Sequence, residues 1–398
     1  MSDAPKCRVL VLSTLWPNEA HPRFGTFVAR SIEALARETG WQPVVINPIG
    51  LPPVVFGRYK TVRDAAVSGT EKGVEVHRPV FRLLPKVGGR LNPALIAAAV
   101  MPLARTLHEA APFDLVDAQF FYPDGPAAMR VAGELGLPFS VKARGADIHY
   151  WGARSYGLAA LRETADKAAG VLAVSDALAD DMAALGIQRE KITIHRTGLD
   201  RDRFRPLGHT QLRARLAEEL GLPLSKDDRL LATVGALIER KGQALVIKAL
   251  GDLPEARLLL VGKGEDEASL RALARSEGVA ERVHFLGLLD HDLLPLVLSA
   301  ADAMVLPSAS EGLANAWIEA LACGTPIVIT DAGGAREVVD TPVAGVIVAR
   351  RTEAVREGIR LVLQNRRPPE EVAACVKEYS WEANGRALAA HYDRLLEG

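Results

Sequence analysis

Short apolar runs alternate with helix-patterned segments along almost the whole chain, and the alternation stops once and restarts. Such alternation builds parallel sheets from βαβ units, because a parallel strand pair needs a crossover long enough to hold a helix. Before the interruption, strands are expected at residues 8–15, 43–48, 74–78, 114–119, 139–143, 171–175 and 191–195, and helices at 26–37, 93–111, 125–135, 156–168 and 176–185. Gly136 and Gly186 each follow a helix where a left-handed C-terminal residue belongs. The interruption, residues 201–228, is charged, partly helical and broken by Pro206, Gly208, Gly221 and Pro223. Beyond it, strands are expected at 230–235, 257–261, 283–285, 303–306, 327–330 and 346–348, and helices at 243–250, 265–277, 293–299, 314–322 and 353–364. The expected fold is therefore α/β, with two Rossmann-like doubly wound domains, residues 1–205 and 206–380, and a cleft between them. A last helix over residues 381–398 carries Tyr392, Leu395 and Leu396 on one face and is expected to pack back on the first domain. Residues 48–73, which open with a Pro-rich patch, read as a long loop.

The 398 residues suffice for two domains of ordinary size, and 48% hydrophobic against 24% charged content excludes a disordered or fibrous chain. Cys7, Cys323 and Cys375 are far apart and odd in number, so neither a disulfide framework nor a zinc site is indicated. They read as buried small hydrophobes in a reducing compartment. The N-terminal apolar run is short and no small-residue cleavage site follows, so it reads as a buried strand rather than a signal peptide. No run is long enough to span a bilayer. A cytoplasmic protein is expected, with the inner face of the cell membrane open to it. Through Arg205 there are 26 basic and 21 acidic residues, and beyond it 22 and 28, which suits a first domain that faces an anionic lipid or acceptor, and random scatter almost as well. Nothing resembles a nucleic-acid module, and no nucleic-acid partner is expected.

The segment that carries most chemistry is VLPSASEGLANAWIEALACGTPIVITDAGGAREVV, residues 305–339. A strand ends at Pro307, a polar turn follows, and small residues lead into a helix that ends near Cys323 and Gly324. A helix N-terminus offers unpaired N–H groups and partial positive charge, so Gly312, Leu313, Ala314 and Asn315 form a ready diphosphate site. Glu311 sits in the turn just before, within reach of ligand hydroxyls. Glu319 lies about 8 Å further along, where a carboxylate can accept from two ribose hydroxyls.

This segment resembles the signature of retaining glycosyltransferase family 4: a glutamate, seven residues, a second glutamate, then A-x-A-x-G-x-P. Glu311, Glu319, Ala320, Ala322, Gly324 and Pro326 match it, and Gly333, Gly334 and Glu337 match the GG-x-x-E that follows. Residues 192–206, 258–270, 282–289 and 299–308 resemble other blocks of the family, so the likeness runs along nearly the whole chain. Residues 13–35 are similar to the transferases that build teichuronic acid or exopolysaccharide. The resemblance implies the GT-B fold, with the acceptor on the first domain and the donor on the second. It implies donor contacts at Gly25, Gly235, Lys241, Gly262, Gly287, Glu311, Gly312, Leu313, Ala314, Asn315 and Glu319. Lys241 corresponds to the lysine that holds the donor phosphates, and a compact cation beside a diphosphate is chemically apt.

The chain departs from the family in two places. Ala236 stands where an arginine usually follows the strand's glycine, so Arg240 is left to supply that charge. Arg144 stands for the histidine of H-G-x-D, with Gly145 and Asp147 retained; arginine holds a hydroxyl or phosphate but gives no proton near neutral pH. His149 reads as structural or acceptor-facing. Gly262-Lys263-Gly264 lacks the third glycine of a dinucleotide fingerprint, so no nicotinamide cofactor is expected. Asp200-Arg201-Asp202 spells a metal-binding D-x-D but falls in the linker block, and no metal is expected. Residues 82–93, with Arg58, Lys60 and Arg63 upstream, are basic with interleaved apolar residues. They suit an anionic membrane surface and a solvated loop equally.

The reading is a retaining, metal-independent, cofactor-free glycosyltransferase. It moves a sugar from a nucleoside-diphosphate donor to a glycan or lipid-linked acceptor, for cell-surface polysaccharide or glycolipid. Glu311, Lys241, Arg240, Arg144 and Asp147 are the expected catalytic residues. Retention and metal independence are implied by the resemblance alone. Two alternatives stay open: a nucleotide-sugar epimerase of the same architecture, and a donor-binding protein with a degraded site.

Overall fold

A computed structural model describes residues 7–84, 88–225, 228–289 and 292–397. The chain forms two compact units, Met1–Gly198 with Trp381–Gly398, and Leu199–Ser380. The sequence-based boundary at residue 205 lies seven residues past the break at Gly198/Leu199.

The first unit is built on an eight-stranded sheet. Its order is Ile192–Ile194, Gly170–Ala173, Phe139–Ala143, Leu115–Ala118, Arg8–Leu12, Gln42–Ile46, Val74–His77 and Gly69–Glu71. All pairs are parallel except the last. The middle strands are buried end to end, as expected when helices cover both faces. The second unit has a six-stranded parallel sheet in the order Val283–Gly287, Ala256–Val261, Arg229–Val234, Ala303–Leu306, Ile327–Thr330 and Gly345–Val348. Each sheet reverses its direction of growth once. In the first this happens between Arg8–Leu12 and Leu115–Ala118, in the second between Arg229–Val234 and Ala303–Leu306. Loops diverge at such a reversal and leave a crevice at the carboxyl ends of the strands.

The region 48–73, read as a loop, is structured. Ile49–Leu51 pairs in parallel with Val80–Arg82, Arg58–Asp64 is a helix, and Gly69–Glu71 is the antiparallel edge strand. Three-residue strands and a seven-residue helix are too short to leave a periodic signal. The basic segment at 82–93 is described except for residues 85–87, and the Arg58 side chain likewise lies outside the described residues. The cysteines are free, but only Cys323 is fully buried; Cys7 and Cys375 are half-buried.

The C-terminal helix Trp381–Glu397 belongs to the first unit and packs on helix Thr26–Glu38. Tyr392 and Leu388 join Ile32, Leu35 and Trp41 in one core cluster. Leu396, expected on the buried face, is 40% exposed. The backbones approach so closely that a Cβ on Gly385 would lie 2.6 Å from the Ala34 carbonyl carbon. Buried polar contacts fix the register. The Ser31 hydroxyl donates to Asn384 Oδ1 at 2.6 Å, and Asn384 Nδ2 donates to the Arg196 carbonyl at 2.6 Å. His391 Nε2 lies 3.0 Å from Ser140 Oγ under the sheet.

This close approach gives a paired test. A methyl at Gly133, which is exposed in its helix and meets nothing within 4 Å, should stabilise by about 0.5–1 kcal/mol by cutting unfolded-chain entropy. The same methyl at Gly385 should destabilise by about 1–3 kcal/mol. Thermal midpoints of Gly133→Ala and Gly385→Ala should therefore move in opposite directions.

Candidate active site

The strands that flank the reversal in the second sheet deliver the charged residues. Arg229–Val234 runs into Gly235 and a turn ending in the short 3₁₀ helix Glu239–Lys241; Ala303–Leu306 runs into Pro307 and the polar turn before Asn315–Ala322. Neighbouring strands place the two turns side by side, and the backbone fastens them: Ala309 N–H donates to the Arg240 carbonyl at 2.7 Å, and the Arg240 guanidinium donates to the Ser310 carbonyl. Lys241 Nζ consequently meets Glu311 Oε1 at 2.5 Å, with both side chains mostly buried, and Arg240 Nη1 lies 3.6 Å from Glu311 Oε2. One carboxylate thus holds two cations in place.

Glycines make these turns possible. Gly242, at φ 76°, opens the next helix, and a Cβ there would lie 2.3 Å from the Pro307 carbonyl oxygen. Gly333, at φ 53°, lets its turn press on Glu311, whose carbonyl oxygen a Cβ would meet at 2.2 Å; Gly334 N–H donates to the Gly312 carbonyl at 2.7 Å. Gly262 has a packing role as well, since a Cβ there would overlap the Gly235 carbonyl oxygen at 1.9 Å. Gly262 N–H donates to the Gly287 carbonyl, which links Gly235, Gly262 and Gly287 along three strand ends.

The N-cap residue of helix Asn315–Ala322, Ala314, gives no side-chain cap, and the first turn holds no acid, so the helix's positive end favours an anion. Leu313 and Ala314 are buried and Asn315 is exposed. Glu319 lies one turn on from Asn315 and on the same face. Burial alone pushes its carboxyl up to about 7. Among the described residues, no group of three or more His, Cys, Asp and Glu side chains could share a metal ion.

The first unit shows a different arrangement at its own reversal. Gly25, at φ 71°, starts helix Thr26–Glu38 and packs on the Leu15–Trp16 backbone, where a Cβ would meet Leu15 C at 2.4 Å. Arg144 follows strand Phe139–Ala143, with its guanidinium 4.7 Å over the Phe27 ring. Arg144 Nε donates to the Gln119 carbonyl and Nη2 to Gln119 Oε1, both at 2.7 Å. Gln119 Nε2 donates in turn to Asp117 Oδ2. An arginine only donates, so the Gln119 amide must turn its Oε1 toward Arg144 and its Nε2 toward Asp117. Burial lowers the Arg144 guanidinium to about 10, still cationic at neutral pH.

Asp147 is fully buried, and its carboxylate accepts backbone N–H groups of Phe121, Arg144, Gly145 and Ile148. It therefore holds backbone and has no face toward a ligand. His149 pairs with Asp181 at the surface, 2.9 Å away. Beneath Arg144, Lys142 Nζ lies 2.7 Å from His195 Nδ1 in the core. Burial, and then neighbouring cations, depress both groups well below their ordinary values.

Sequence reasoning missed Gln119, Phe27 and Arg350. Arg350 braces both turns of the second unit, donating to the Pro307 carbonyl at 3.2 Å and to the Glu239 carbonyl at 2.9 Å. No motif marks a side chain whose partners are backbone atoms 43 and 111 residues away.

Comparison with known proteins decides what this arrangement belongs to. Residues 24–198 match the family described as Glycosyl transferase 4-like domain, and residues 218–379 match Glycosyl transferases group 1. TuaC of Bacillus subtilis, a glycosyltransferase assigned to teichuronic acid biosynthesis, is 31% identical over 344 residues, 82% of each chain. The protein is a family 4-type glycosyltransferase. The D-inositol 3-phosphate glycosyltransferase of Mycobacterium tuberculosis is 31% identical over 248 residues, 59% of this chain and 50% of its own. Among solved structures, Anabaena HepE in complex with UDP and glucose superposes with a TM-score of 0.71 at 19% identity, over 97% of this chain and 99% of its own. The sucrose-phosphate synthase of Thermosynechococcus elongatus gives 0.77 at 20% identity, over 98% and 99%. The fold of this glycosyltransferase is GT-B.

The raised Glu319 carboxyl has a measurable consequence. The unfolded chain releases this proton near the ordinary glutamate value of 4.5, whereas the folded protein keeps it to about 7. Glu319 therefore subtracts stability progressively between those values, and fully above pH 7. Glu319→Gln should remove that slope and raise the thermal midpoint above neutrality by about 2–4 °C. Midpoints measured across that pH range for both proteins provide the check.

Proposed function

We propose that this glycosyltransferase moves a sugar from a nucleoside-diphosphate donor to an acceptor hydroxyl, with retention at the anomeric carbon and without a metal, in the synthesis of cell-surface polysaccharide or glycolipid. The observation that carries the donor site is the pairing of Lys241 and Arg240 with Glu311 just before a helix N-terminus whose first turn holds no acid. Cations and N–H dipoles converge there on the place a diphosphate would occupy. The donor would set its diphosphate against the N–H groups of 312–315 and against Lys241, with phosphate oxygens competing with Glu311 for the ammonium. The ribose hydroxyls would donate to Glu319 and the sugar hydroxyls to Glu311.

In the transfer, the bond from the anomeric carbon to the diphosphate oxygen breaks while the acceptor oxygen bonds to the same face of that carbon. The departing diphosphate takes the acceptor's proton. Negative charge grows on the leaving group, so Lys241, Arg240 and the helix end would contribute most to the rate. Fixed cations in that position supply the charge stabilisation that a metal provides in other transferases. Gly25 and Arg144 would face the acceptor from the first unit, with Gln119 and Phe27 holding Arg144 in place. UDP and glucose bound to HepE, and the role of TuaC in teichuronic acid synthesis, support a sugar nucleotide and a surface glycan.

The reading is tested with a thermal-shift panel of UDP-, GDP- and ADP-sugars on the parent, Lys241→Ala and Glu319→Ala, followed by anomeric analysis of the product. One base class should stabilise the parent by several degrees, and both variants should lose most of that shift. Binding should tighten as pH rises through about 7, where the ribose-binding carboxyl ionises. Loss of activity on exhaustive chelation, with restoration by one divalent ion, would overturn the metal-free mechanism. Conversion of the donor without any acceptor would point to an epimerase.

A further inference from the structure

Two stretches of the first unit contain no acid, although Arg63, Arg78 and Arg105 within them pair with Asp64, Glu71 and Glu134 outside them. Residues 39–63 and 76–108 hold eight Lys and Arg and no Asp or Glu, whereas the chain as a whole is balanced at 48 to 49. At the chain's overall acid frequency, about seven acids would fall in those 58 residues.

The fold brings the ends of these stretches together. Ile49–Leu51 and Val80–Arg82 run in the same direction, so the loops that follow Leu51 and Arg82 leave from one end of the pair, joined by the Leu83 N–H to Leu51 carbonyl bond at 2.8 Å. The first loop carries Val54 and Phe56, which are 70% and 69% exposed. The second leads into helix Gly88–Ala110, where Leu91 is 42% exposed beside an exposed Arg90. That helix start is packed against the short helix Ala146–Gly152. A Cβ on Gly89 would lie 3.2 Å from the Trp151 ring, and the Tyr122 hydroxyl, beside Trp151, donates to the Gly89 carbonyl. Tyr150 stands out next to it, 55% exposed, with the Arg154 guanidinium stacked 3.6 Å from its ring centre.

Single exposed apolar residues are ordinary. Four at one end of one unit, interleaved with Lys60, Arg82, Arg90 and Arg154 and without acids in the two flanking stretches, form a pattern. Eight of the ten large exposed hydrophobics among the described residues fall in this unit. We infer that this face docks on the surface of an anionic lipid bilayer. Val54, Phe56, Leu91 and Tyr150 would enter the headgroup boundary, and the basic side chains would lie against lipid phosphates. The exposed apolar tips favour lipid over a purely anionic glycan, which offers nothing for Val54 and Phe56 to bury. No helix among the described residues is long and apolar enough to cross a membrane, so the contact is peripheral.

The test is flotation of the full-length protein with vesicles of phosphatidylcholine alone and with about one-third phosphatidylglycerol. The parent should float with the anionic vesicles and not with the neutral ones, and should release at high salt. Lys60→Glu with Arg90→Glu should weaken binding at least about tenfold, since each basic residue near the surface contributes about 1 kcal/mol. Phe56→Ser with Tyr150→Ser should also lose flotation, while Leu361→Ser on the second unit should keep it. Unchanged thermal midpoints would establish that the exposed-site variants are folded, and an unchanged shift with the sugar nucleotide would separate this result from the donor-site reading. Failure of the parent to float, equal flotation with neutral vesicles, or flotation indifferent to both double variants would overturn the inference. Retention on an immobilised anionic polysaccharide without vesicle binding would overturn it in favour of a glycan surface.

Discussion

A parallel sheet that reverses its strand order leaves two neighbouring carboxyl ends whose loops diverge, and in both units the candidate site's side chains hang from those ends. Lys241 and Glu311 are seventy positions apart, yet they meet because Arg229–Val234 and Ala303–Leu306 are hydrogen-bonded neighbours. The same constraint sets Gln119 and Arg144 at the ends of adjoining strands in the first unit. Helix crossovers then cover both faces and make the strands apolar throughout. Polar chemistry is thereby confined to the strand ends, where side chains can reach a ligand without crossing the core.

That confinement has exceptions, and they carry an electrostatic cost. Lys142, His195, Asp117 and Asp124 are buried beneath the carboxyl ends of the first sheet, and burial shifts each toward its neutral form. Asp147 is buried too, and its carboxyl is likewise raised by burial, with backbone N–H groups lowering it only in part. It shapes the turn that presents Arg144. Glu319 has burial as its only resolved influence. Buried titratable groups of this kind lower stability, and natural proteins keep such costs where function requires them.

The C-terminal helix connects sequence ends to this arrangement. Through His391 on Ser140, Asn384 on Ser31, and Leu388 and Tyr392 in the core, it closes one side of the first sheet. The strands that carry Gln119 and Arg144 therefore rest on residues more than two hundred positions downstream. The exposed basic and apolar face belongs to the same unit but lies on loops and at the ends of helices and strands.

Much of this was legible in the sequence. The alternation of apolar runs placed thirteen parallel strands, because strands buried on both faces must be apolar at nearly every position. The spacing of Glu311 and Glu319 placed one at a turn and one inside a helix, since helical rise is regular. Short elements escaped: Ile49–Leu51, Arg58–Asp64 and Val80–Arg82 have too few residues for a period to register, and Leu396 faces outward where a helical pattern faced it inward. Strand order, and with it the contacts of Lys241 with Glu311, of Arg350 with two distant carbonyls and of Gln119 with Arg144, was decided only by the tertiary structure. Local periodicity records which face of an element is buried and is silent about which element lies beside it; that choice depends on how the helices and loops pack across the whole sheet.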